Sequence, residues 1–125
     1  MPQEHVGCPM DITHLHLNVR DLVASSAFYA RWFGLEVRRK EGDVWFLCGD
    51  QKFLLVLLKD ANPQPSPAWA HFGVARENAG QVLELHDAML GAGVSMTRPY
   101  AQGDTLTSFR AADPDGHVVE VYWLH

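Results

Sequence analysis

With 125 residues, 47% of them hydrophobic, the chain is long enough for one domain with a real core and short for two. A formal charge of -5, a pI near 5.7 and scattered lysines and arginines leave no basic patch, so neither nucleic acid nor an anionic membrane is an expected partner, and a small molecule or a protein is. No disulfide framework follows from Cys8 and Cys48, the longest apolar run "FLLVLL" is too short to span a bilayer, and residues 1–10 lack the order of a secretory signal, which makes a cytoplasmic protein the expectation.

After an N-terminal tail over 1–10, "DITHLHLNV" alternates Ile12, Leu15, Leu17 and Val19 with polar residues and predicts a strand. Asp21 offers an N-cap to "LVASSAFYARWFG", in which Leu22, Tyr29 and Phe33 fall near one helical face and Gly34 suits the stop. "LEVRR", "DVWFLCG" and "KFLLVLL", parted by "KEGD" and "GDQ", predict three strands. Cys48 belongs to the second of these as a small buried thiol, and Cys8 to the tail. The first module therefore reads βαβββ over residues 11–60. A linker over 61–68 carries three prolines.

The order then begins again over residues 69–125. "WAHFGVA" predicts a strand, and "AGQVLELHDAMLGAG", entered through Glu77 and Asn78, a helix with Val82, Leu85 and Met89 at helical spacing and Gly93 at its end. "VSMTR", "TLTSFRA" and "HVVEVYWL" predict three further strands. The chain is thus an internal pseudo-repeat of α+β class, two paired βαβββ modules whose curved mixed sheets must enclose a central cavity or meet another chain to bury their faces.

Matching the halves sets His14 opposite His71, each near the start of its module's first strand, and Glu120 opposite Val56 to within one position. A carboxylate thus stands among Val118, Val119, Val121, Tyr122 and Trp123 where the other module is aliphatic. Alternation gives His14 a face shared with His16 and Asn18, and Glu120 one shared with Tyr122. Two imidazoles and one carboxylate suit a divalent metal: neutral nitrogen and anionic oxygen donors bind it, and a three-ligand set leaves positions open for water or substrate.

These stretches resemble the vicinal oxygen chelate superfamily, which includes glyoxalase I, fosfomycin resistance enzymes, extradiol dioxygenases and bleomycin resistance proteins. "ITHLHLNVRDLVASSAFYARWFGLEV" is similar to the family's opening, "HFGVA" with "VLELHDAMLGAGV" to the start of its second module, and "DPDGHVVEVYW" to its closing turn and strand. The resemblance implies His14, His71 and Glu120 as ligands of Mn, Fe, Ni, Zn or a similar ion. It also implies a homodimer, in which the first-strand His and the other two ligands come in some members from different chains.

Departures narrow the activity. The strand Phe53–Leu58 supplies no carboxylate for the fourth ligand of glyoxalase I. Arg110 stands near the position of a Tyr in extradiol dioxygenases and fosfomycin enzymes, and His16 where the latter carry Thr. A guanidinium near a metal would pair with a carboxylate, phosphonate or enediolate oxygen. Arg110, Tyr122 and Trp45 are therefore the candidate substrate contacts, and His16 the candidate general base. Two functions remain open: a metal-dependent enzyme that activates a small oxygen-chelating metabolite or antibiotic electrophilically, and a protein that sequesters an aromatic or hydrophobic compound, such as an antibiotic, in the groove between modules, as bleomycin resistance proteins do without a catalytic metal.

Overall fold

The computed structural model describes residues 10–125; the expected tail with Cys8, as far as residue 9, lies outside them. The first module holds β1 (His14–Val19), α1 (Leu22–Phe33), β2 (Glu36–Glu41), β3 (Val44–Cys48) and β4 (Leu54–Lys59). The second holds β5 (Phe72–Ala75), α2 (Ala79–Gly91), β6 (Met96–Gln102), β7 (Leu106–Ala112) and β8 (Val118–Leu124). Each forms a four-stranded mixed sheet of the same design, ordered β1-β4-β3-β2 and β5-β8-β7-β6, with the outer pair β1/β4 or β5/β8 parallel and the rest antiparallel. None of the helices is long and apolar enough to cross a membrane.

Local chemistry sets the helix ends. Asp21 Oδ1 accepts from the backbone N–H of Val23 and Ala24 at 2.9 and 3.1 Å, satisfying two of the first-turn donors of α1. Gly34, at φ 69°, closes that helix with its N–H on the Ala30 carbonyl. Asn78 caps α2 in the same way through Gln81 N–H at 2.9 Å. The strand expected from residue 69 begins only at Phe72, Trp69 being exposed in the turn before it. The strand expected over 94–98 runs on to Gln102 across Pro99, which an edge strand tolerates because its outer N–H groups need no partner; the ladder slips on both sides of Arg98.

The two sheets share one core. Leu17, Val19, Leu47, Leu55 and Leu57 of the first sheet and Tyr29 of α1 are fully or almost fully buried in one cluster with Val119 of the second sheet, and Leu15, Phe72 and Val74 pack against it. Each such buried aliphatic side chain stabilises the fold by about 1.5–3 kcal/mol. A second cluster, with Val82 and Met89 of α2 against Phe109, Ala111 and Val121, also receives Phe28, Trp32 and Phe33 from α1. Because side chains alternate along a strand, the faces that carry His14 and Glu120 are the ones turned away from this shared core.

The turn before β8 locks the modules together. Asp113 Oδ1 accepts from the N–H of Asp115 and His117, both at 2.9 Å, while its Oδ2 accepts the buried Tyr29 hydroxyl at 2.7 Å. Asp115 accepts from Arg20 N–H at 3.0 Å and from the Ser25 hydroxyl at 3.2 Å, and His117 Nε2 donates to the Asn18 carbonyl at 2.8 Å. Gly116 supplies the positive φ of 86° that the turn needs. The register of β8 is thereby tied to α1 and to the end of β1.

Candidate metal and ligand site

The ladders align the halves without ambiguity. His16 pairs with Val56 across β1/β4, and Gly73 pairs with Glu120 across β5/β8, so His71 repeats His14 and Glu120 repeats Val56. On β7, Arg110 lies directly beside Glu120 and Ser108 beside Tyr122, which gives one face of the second sheet His71, Gly73, Glu120, Tyr122 and Arg110.

Glu120 is the centre of that face and only 14% exposed at its side chain; its Oε1 faces His71 Nε2 at 3.4 Å and its Oε2 faces Arg110 Nε at 3.5 Å. His71 Nδ1 lies 3.2 Å from the Trp69 carbonyl. A carbonyl only accepts, so Nδ1 donates to it, and Nε2 is the ring nitrogen turned toward the carboxylate oxygen. Imidazole nitrogen and carboxylate oxygen brought this close form an ion pair when the ring carries a second proton, and they are also a borderline donor set that takes divalent transition metals. The buried Arg110 Nε has no hydrogen-bond partner, a second group at the site whose pairing within the protein is incomplete.

His14 is not part of this cluster. It is exposed on the edge strand β1, on the outward face of the first sheet, beside a depression that Cys48, Gln51 and Lys52 also line. It also borders a cleft of about 550 Å³ between β1 and β5, which Leu15, Phe33, Phe72 and Gly73 line. Among the described residues no three His, Cys, Asp or Glu side chains within the single chain come close enough to hold a metal. His16 is exposed two residues on; its Nε2 donates to Asn18 Oδ1 at 2.8 Å, and Asn18 Nδ2 donates in turn to Asp60 Oδ2 at 3.1 Å. That chain orients the ring through Nε2, and Nδ1 makes no hydrogen bond among the described residues.

Trp45 stands apart from the other candidates. In the β3/β4 ladder it pairs with Leu57, whose side chain is in the core, and Lys40 Nζ caps its ring at 4.1 Å from the centroid. The residue that shares a face with His16 through Val56 is its neighbour Phe46. Gly73, which no motif singled out, matters sterically: a Cβ there would meet Tyr122 Cε1 at 2.8 Å, so the tyrosine ring lies flush over β5 only because the side chain is missing.

A family model for the glyoxalase/bleomycin resistance protein/dioxygenase superfamily matches residues 11–121. The chain belongs to this superfamily, that of the vicinal oxygen chelate proteins. Among solved structures it is similar to a possible glyoxalase from Bacillus cereus, at 28% identity over 90% of this chain and 97% of that one with a TM-score of 0.79. The genomically encoded fosfomycin resistance protein FosX from Listeria monocytogenes shares the fold at 21% identity, with 93% and 94% of the two chains covered and a TM-score of 0.76. So does a glyoxalase/bleomycin resistance protein/dioxygenase family enzyme from Burkholderia phytofirmans, at 16% identity, 93% and 100% coverage and a TM-score of 0.78. No curated protein sequence matches significantly.

Proposed function

We propose that this vicinal oxygen chelate protein is a metal-dependent enzyme whose centre is completed between two copies of the chain, His14 of one joining His71 and Glu120 of the other. The observation that carries the reading is the convergence of His71 Nε2 and Glu120 Oε1, with the ring fixed by the Trp69 carbonyl. The outward aspect of both functional faces supports the second half of it: one chain by itself keeps His14 out of the cluster, and a two-fold partner would offer the missing imidazole. Mn, Fe, Ni or Zn all accept such donors.

A divalent ion held there would act as a Lewis acid on two oxygens of a small substrate, a metabolite or an antibiotic, as negative charge develops on them. The chain's own residues do the rest. Arg110 offers guanidinium donors beside Glu120, Tyr122 forms the wall over Gly73, and His16, oriented through Asn18 and Asp60, is the base that takes a proton at Nδ1. The competing reading, sequestration of an apolar compound without catalysis, draws on the half-buried strip of Val44, Phe46, Leu54, Val56 and Leu58 on the His16 face of the first sheet.

Metal analysis of untagged protein tests the proposal, with stoichiometric divalent metal expected in the wild type and little in His14→Ala or Glu120→Ala. Mixing those two variants under conditions of subunit exchange restores one complete site per mixed dimer if the ligands come from both chains. Absence of metal from the wild type would favour the sequestering reading, and metal in wild type without recovery in mixed dimers would place all three ligands elsewhere than across an interface.

A further inference from the structure

Beyond the candidate metal ligands, the second sheet carries two neighbouring arginines, of which one faces a shared carboxylate and the other has no ion-pair partner among the described residues. Arg98 on β6 is the direct cross-strand neighbour of Arg110 on β7, and like charges so placed repel. Arg110 shares the single carboxylate of Glu120, 3.5 Å from a buried Nε that makes no hydrogen bond, whereas Arg98 forms no ion pair among the described residues. The pseudo-repeat supplies an internal comparison. The equivalent of Arg110 in the first sheet is Phe46, and the equivalent of Arg98 is Arg39, which pairs with Glu41. The first module thus pairs its arginine at this position with a carboxylate, whereas in the second Arg110 faces a carboxylate that also faces His71 and Arg98 has no ion-pair partner among the described residues.

Both arginines line a cavity of about 520 Å³ beside the Glu120 face. Its other walls include Thr97 and the linker residue Ser66, which is held against the start of β8 by Ser66 N–H on the Gly116 carbonyl at 3.2 Å and by Val118 N–H on Ser66 Oγ at 3.4 Å. The linker therefore forms a fixed side of the cavity. Paired guanidinium groups, open to solvent on one side and short of acceptors, match the oxygens of a small oxyanion.

We infer that Arg98 and Arg110 grip the anionic head group, a carboxylate or a phosphonate, of the compound that the protein binds, with Arg98 a determinant of specificity that lies outside the metal cluster. The inference rests on the reading of Glu120 as a metal ligand only for which end of that compound reaches the ion; the arginine pair itself can be tested without it. Because Glu120 is committed to the cation in that reading, the two guanidinium charges are then balanced by the ligand.

Isothermal titration of acetate and of methylphosphonate into the purified protein, with and without chelator treatment and at ionic strength held with chloride, reads the site directly. Binding is expected in both preparations, weakened by about ten- to a hundredfold in Arg98→Gln and in Arg110→Gln and unchanged in Arg38→Gln, a surface control. The probe that binds tighter identifies the head group. Metal content of Arg98→Gln equal to wild type would separate this role from the metal site, and oxyanion binding by protein that carries no metal before any chelator treatment would sink the metal reading while leaving this one. Heats no larger than the chloride control, or an affinity indifferent to Arg98→Gln, would overturn the inference.

Discussion

Tyr29→Phe removes one hydroxyl and keeps the ring that packs in the shared core. The hydroxyl lies 2.7 Å from Asp113 Oδ2, both side chains are buried, and no other described group replaces the donor. A hydrogen bond to a charged acceptor contributes about 1.5–3 kcal/mol, and a buried acceptor left unpaired costs at least as much as the bond. Against a total of roughly 5–15 kcal/mol for a domain, such a loss is large. Burial holds the Tyr29 hydroxyl far above its ordinary value of 10.0, and the negative charge of Asp113 and the bond to it add to the effect, as does Asp115. The folded chain therefore keeps this proton where the unfolded chain releases it. The corresponding stability is fully present below pH 10 and declines as pH rises above it, by about 1.4 kcal/mol per pH unit. Urea denaturation of wild type and Tyr29→Phe is expected to show a lower midpoint for the variant at pH 7 with an unchanged slope, and the two stabilities should converge above pH 10. A variant within about 0.5 kcal/mol of wild type at pH 7, or a gap that stays constant from pH 8 to pH 11, would refute the assignment of this bond as the clamp between modules.

Glu120→Gln keeps the shape and removes the anion, so metal content measured by mass spectrometry should fall to near background while circular dichroism stays unchanged. Gly73→Ala drives a methyl to 2.8 Å from the Tyr122 ring; a destabilisation of roughly 1–3 kcal/mol is expected together with a shift in tyrosine fluorescence, and an unshifted spectrum would mean the ring has room to spare. Gly116→Ala combines a positive φ with a Cβ 2.8 Å from that of Pro65, whereas Gly34→Ala has only the φ of 69° and open space around it. Backbone strain of about 1–2 kcal/mol is common to both, so thermal melts should show the Gly116 variant as the less stable of the two.

The parts of the fold legible in the sequence are those fixed by short-range chemistry. Asp21 and Gly34 bracket α1 because capping needs only a few neighbours, and the match of His71 to His14 and of Glu120 to Val56 holds in the ladders because both modules build the same sheet. What was not legible depends on contacts made at a distance. Trp45 falls on the core side of β3 through a register set by β4, and local alternation in "VWFLC", apolar throughout, carries no sign of which face is which. The approach of Arg98 to Arg110 depends on ladder slips around Pro99 that no periodicity announces. The steric demand at Gly73 appears only once Tyr122 is seen across the strand pair.

The separation of His14 from Glu120 follows from the same alternation that made the pair attractive. Leu15, Leu17 and Val19 are turned to the core, as are Phe72, Val74 and Val119, so the residues between them point away from it on both sheets. If one chain were to bring His14 onto the Glu120 face by itself, the sheets would have to meet through their histidine-bearing faces and expose the leucines and valines that now form the joint. Each of those buried aliphatic side chains contributes about 1.5–3 kcal/mol that such a rearrangement would forfeit. The clamp of Tyr29, Asp113, Asp115 and His117 adds polar bonds that hold the modules in this back-to-back relation and that would break in the other. Within one chain this packing keeps His14 off the Glu120 face, so the proposed three-ligand centre needs a second copy, and recovery of metal in mixed dimers of His14→Ala and Glu120→Ala is the decisive measurement.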